Sequence, residues 1–66
     1  MENTAISIGD RLRYARGEKS QKEVADALGV SVMAISMLEN NQRRPSYEMM
    51  LRLSKYFGIK PERLFF

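Results

Sequence analysis

The residues best placed to do chemistry in this chain open a helix. In Ser20-Gln21-Lys22-Glu23, Ser20 is a good N-cap and Glu23, three residues on, completes a capping box. That puts Gln21 and Lys22 in the first turn, where unpaired backbone N–H groups and the positive end of the helix dipole favour a phosphate. The alternative for Gln21 is a polar first-turn residue without a ligand, and Ser20 fits a cap better than a contact. Catalysis has no comparable signal. The 66 residues contain no Cys and no His, which removes disulfides, thiolate metal sites and the commonest acid–base group. No enzyme, cofactor or metal site is expected. A net charge of +3 is too small to imply nucleic acid by itself, so the placement of charge matters more than its total.

The elements that would position these residues can be read in order. The helix opened by Ser20 runs to about Leu28 with Val24, Ala25 and Leu28 on one face, and Gly29 can take the left-handed conformation at its end. Val30 plugs the corner. Ser31 offers the cap for a helix from Val32 to about Asn40, with Ala34, Ile35 and Leu38 inward and Val32, Met33, Ser36, Met37 and Asn40 on the outward arc. Helix, tight turn with Gly, helix is the unit that lays its second helix in the DNA major groove. Upstream, Ile8, Leu12 and Ala15 mark a helix over 7–16. Downstream, Ser46 caps a helix to about Phe57 with Met49, Met50, Leu53 and Phe57 inward, and Pro61 opens a last turn to Leu64. The expectation is an all-α, five-helix domain over 8–66 behind a tail over 1–7.

Taken together, Gln21, Ala25, Gly29, Val30, Ile35, Leu38, Glu39, Asn40 and Arg44-Pro45-Ser46 resemble the phage-repressor or Cro-type (XRE-type) helix-turn-helix domains over nearly the whole chain. The resemblance implies a compact lambda-repressor-like DNA-binding fold. It implies that Gln21 grips a backbone phosphate, and that the loop from Asn40 through Gln42, Arg43 and Arg44, with two arginines and no acid, lies along the sugar-phosphate backbone, where such side chains fix orientation without reading sequence. Lys22 and Ser31 join the phosphate set. A solvated surface loop is the alternative for Arg43 and Arg44. The connection before Ser20 is shorter than in many members of the family.

By the same resemblance, Val32, Met33, Ser36 and Met37 are the base-reading positions. Val and Met cannot make the bidentate bonds of Arg to guanine or Gln to adenine, which leaves thymine methyl contacts, a serine hydroxyl and DNA shape, hence T-containing half-sites. The competing reading of this stripe is a protein-facing surface, since Met suits adaptable interfaces. Glu39 would repel phosphates; the resemblance pairs it with Arg16 instead. The apolar end Leu64-Phe65-Phe66 and the habit of relatives to dimerise through their last helices suggest a homodimer. Leu64 would fold onto the core and Phe65 and Phe66, with Tyr56 as a weaker candidate, would form the interface; the alternative is that these side chains too fold back onto the core.

The function expected is a homodimeric transcriptional repressor on a palindromic operator in double-stranded DNA, bacterial or phage, cytoplasmic and nucleoid-associated. Neither a secretory signal nor a stretch able to cross a bilayer is present. The alternatives are an antitoxin-like or adaptor protein with a protein partner and, more remotely, a helical structural subunit.

Overall fold

The structure, a computed structural model, describes residues 6–66, so most of the tail expected over 1–7 lies outside the described residues. The five helices are α1 (Ile8–Arg16), α2 (Gln21–Leu28), α3 (Val32–Glu39), α4 (Tyr47–Phe57) and α5 (Pro61–Phe65). Ser7 belongs to the domain rather than to the tail, because its side chain caps α1 and Asp10 reciprocates in a capping box. The same box joins Ser20 and Glu23 at the start of α2, and Ser31 and Ser46 cap α3 and α4. Four serines thus accept the orphan N–H groups that helix starts leave open.

Three helix ends share one device. The N–H of the second or third residue past each helix bonds back five residues: Val30 to the Ala25 carbonyl (3.0 Å), Gln42 to Met37 (2.8 Å) and Ile59 to Ser54 (3.1 Å). Each such turn needs one residue at positive φ. Gly29 supplies it after α2 (φ 70°), whereas Asn41 supplies it after α3 (φ 60°). Asn41 uses its amide as well: Oδ1 accepts the Gly9 N–H (3.0 Å) and Nδ2 donates to Ser7 Oγ (3.0 Å). The end of α3 is thereby fastened to the start of α1.

α1 packs on α3 and α5, α2 on α3 and α4, and α4 on α5. Leu12, Val24, Ala25, Leu28, Ile35, Leu38, Leu53, Leu64 and Phe65 form the core, with Ile8, Ala15, Val30, Met49, Met50 and Phe57 half-buried against it. Ala25 is fully buried where α2 meets α3. Ala34, expected in the inward stripe, is half-buried. Arg52 of α4 donates to the Leu28 carbonyl and so satisfies the C-terminal end of α2.

Phe65 differs from the expectation. It is 5% exposed, because the last turn continues one residue beyond Leu64 and brings residues three and four on from Pro61 onto the same inner face. It is a core residue, not an interface candidate. Phe66 stays 80% exposed and Tyr56 is half-buried beside Phe57, ring centroids 5.1 Å apart.

The hydroxyl of Ser54 is buried without a hydrogen-bond partner. An unmet buried hydroxyl is a net cost, so Ser54→Ala should stabilise the domain by about 1 kcal/mol, read as a higher urea midpoint with unchanged slope.

Candidate nucleic-acid interface

Glu39 organises the site. It ends α3, is 3% exposed, and its carboxylate is held from two sides. Arg16 of α1 grips it as a fork, Nε to Oε2 at 2.6 Å and Nη2 to Oε1 at 3.0 Å, and Gln21 Nε2 donates to Oε1 at 3.0 Å. Arg16 also donates Nη1–H to the Lys19 carbonyl (2.7 Å), pinning the connection into α2. Burial pushes the Glu39 carboxyl up, but the bonds from Arg16 and Gln21 and the charges of Arg16 and Arg13 outweigh it and hold the group below its ordinary value. The bond to Glu39 raises the Arg16 guanidinium against the opposing effect of burial. The pair is ionised, and it locks α1, α2 and α3 at one point.

That lock orients Gln21. One amide hydrogen goes to Glu39, which leaves a second donor on the same nitrogen for an anion at the start of α2. Lys22 is exposed and bridges to Asp26 at 2.9 Å, an i,i+4 surface pair worth little and easily exchanged for a phosphate. Ser31 is occupied as the α3 cap, accepting the Ala34 N–H at 3.0 Å, with its own O–H still free to donate.

Sequence reasoning leaves Arg13 as an outward residue of α1, either solubilising charge or a DNA contact, and does not find its tie to α3. Its Nη2 donates to the Glu39 carbonyl (3.0 Å) and to Asn40 Oδ1 (3.2 Å), while Asn40 Nδ2 donates to Ser36 Oγ (3.3 Å). Asn40 is therefore held by both neighbours. Gln42, Arg43 and Arg44 are exposed, and Arg43 and Arg44 flank a shallow concavity of about 230 Å³ with Ile8, Asn41 and Pro45. The tie from Arg13 to α3 spans 26 residues, a separation at which spacing carries no signal. Gly9 was missed for the same reason: a Cβ there would lie 2.8 Å from the Glu39 carbonyl carbon and 2.9 Å from Asn41 Nδ2.

On α3, Val32 is 42% and Met33 67% exposed, whereas Ser36 and Met37 are half-buried. Among the described residues no group of three Asp, Glu, His or Cys is placed to hold a metal ion, and no helix is long and apolar enough to cross a membrane.

These features define a helix-turn-helix whose second helix exposes Val32 and Met33, with the exposed cations Lys22, Arg43 and Arg44 nearby in the chain. The helix-turn-helix family's sequence model matches residues 12–64, and the chain belongs to that family, in its XRE-type branch of DNA-binding transcriptional regulators. It is 33% identical to the uncharacterized HTH-type transcriptional regulator MJ0272 of Methanocaldococcus jannaschii, over 85% of this chain and 88% of that protein. It is 31% identical to the HTH-type transcriptional regulator DicA of Escherichia coli K12, over 100% of this chain and 50% of DicA, so it spans half of that relative's length. The solution structure of the DNA-binding domain of the P22 c2 repressor matches with a TM-score of 0.84 at 34% identity, covering 96% of this chain and 84% of that one.

Proposed function

We propose that the protein is a sequence-specific repressor that binds a palindromic operator as a homodimer in the cytoplasm, on the nucleoid. The observation that carries this reading is the Glu39 lock, which ties Gln21, in the first turn of α2, to the C-terminal end of α3, from which the basic, acid-free loop over residues 40–44 leaves. Gln21, Lys22, Ser31, Asn40, Gln42, Arg43 and Arg44 hold the backbone, and Val32, Met33, Ser36 and Met37 face the base edges. The likeness to the DNA-binding domain of the P22 c2 repressor supports the assignment.

Arg43→Ala should weaken binding to specific and random duplexes alike and lower the slope of log K against log salt by about one per protomer. An unchanged slope in a salt titration would remove Arg43 from the interface. Dimerisation is assigned to exposed Phe66 with Tyr56 beside the core. Phe66→Ala, which leaves the core Phe65 in place, should sediment as a monomer and bind the operator weakly; an unaltered dimer would reject this interface.

A second reading rests on the exposure of Val32 and Met33, apolar side chains on an outward helix: an antitoxin-like or adaptor protein that docks a polypeptide there. Under that reading Arg43→Ala leaves the activity intact.

A further inference from the structure

We propose that α3 recognises the pyrimidine C5-methyl group as such, so that 5-methylcytosine serves in place of thymine at the contacted positions. The inference rests on the DNA-reading role proposed above and specifies its ligand.

The exposed face of α3 carries little that could discriminate any other feature. Its sequence, Val-Met-Ala-Ile-Ser-Met-Leu-Glu, contains no Arg, Lys, Asn or Gln, and its one charged residue, Glu39, is buried against Arg16. The two hydroxyls at hand are engaged as acceptors, Ser31 Oγ from the Ala34 N–H at 3.0 Å and Ser36 Oγ from Asn40 Nδ2 at 3.3 Å. Each hydroxyl keeps its O–H and a second lone pair, so it can donate to guanine O6 or N7, adenine N7 or thymine O4, or accept from adenine N6 or cytosine N4, and does not separate the bases. What the helix presents outward is hydrocarbon and thioether, from Val32 and Met33.

An apolar side chain in the major groove gains from burial against another apolar group, and the only such group on a base edge is a C5 methyl. Thymine and 5-methylcytosine share that methyl; uracil and cytosine lack it. Position 4, where thymine offers an acceptor and 5-methylcytosine a donor, is not distinguished by Val or Met, nor by a serine hydroxyl, which can bond either.

The test uses the full chain and the best duplex recovered from a random library. Each thymine is replaced in turn by uracil opposite adenine, and by cytosine or 5-methylcytosine opposite guanine. The methyl increment is then measured in two base-pair backgrounds, thymine over uracil and 5-methylcytosine over cytosine. At a contacted position the methyl should strengthen binding about fourfold in both backgrounds, and about fifteenfold when symmetric positions of both half-sites are changed, from about 0.8 kcal/mol per buried carbon. Met33→Ala should shrink the increment at one position while leaving the salt slope unchanged. Uracil binding like thymine, or 5-methylcytosine binding like cytosine, would overturn the proposal and leave the DNA-binding reading standing. Failure to bind any duplex overturns both.

Discussion

Replacing Arg16 with Ala will destabilise the domain by about 3 kcal/mol, equivalent to a fall in Tm of about 15 °C for a chain of this size. Glu39 is nearly inaccessible to solvent beneath Arg16, so losing the guanidinium leaves a largely buried carboxylate without its charge partner. Of the flanking groups, Gln21 keeps one bond to it and Arg13 approaches only to 3.9 Å, too far for a hydrogen bond. The effect depends on pH in a fixed sense. The folded Glu39 carboxyl sits below its ordinary value, so its contribution is complete above the unfolded carboxylate pKa and is lost as pH falls through the folded one. Arg16 stays charged throughout. The difference in stability between wild type and Arg16→Ala will therefore narrow on acidification. Because the same carboxylate orients Gln21, the variant should also bind DNA less tightly at temperatures where it remains folded. A full Tm in the variant would contradict the assignment of Glu39 as the joint of three helices.

Gly9→Ala will cost about 3 kcal/mol, at the upper end of what overpacking usually imposes. Helix propensity argues for the opposite sign, since Ala is favoured over Gly by about 1 kcal/mol in a helix interior. Sterics decide, because the added Cβ meets the backbone carbonyl of Glu39 rather than the tip of a mobile side chain. To relieve the contact, α1 must withdraw from the end of α3. That movement strains the Gly9 to Asn41 bond and the fork between Arg16 and Glu39. The expected readout is a lower urea midpoint together with faster exchange of the amides at positions 9 and 41. An increase in stability would show that the two helices approach less closely than described.

These two positions mark where the sequence was legible and where it was not. The helices could be read from local chemistry: Ser20 with Glu23, Gly29, Pro61 and the stripes of Val24, Ala25 and Leu28 act within a few residues of themselves. The pairing of Arg16 with Glu39 came from the family pattern rather than from spacing, since 23 residues separate them. The roles of Gly9 and Arg13 left no trace, because their importance lies in how closely α1 approaches the end of α3. Asn41 was read only as part of a polar loop, although it takes the positive φ that glycine takes after α2 and also bonds α1. Phe65 was misplaced because a helix one residue longer rotates it from the surface to the core. In each case the missing quantity was tertiary geometry, which periodicity within one element does not encode.

Reading of DNA sequence by this helix-turn-helix through an apolar face is tested most directly by selection of duplexes from a random library by the purified protein at near-physiological salt. The expected result is a two-fold-symmetric site with T-containing half-sites centred one helical turn, about 34 Å, apart. Binding without any enriched sequence would contradict it and assign the Met-lined face of α3 to a protein partner.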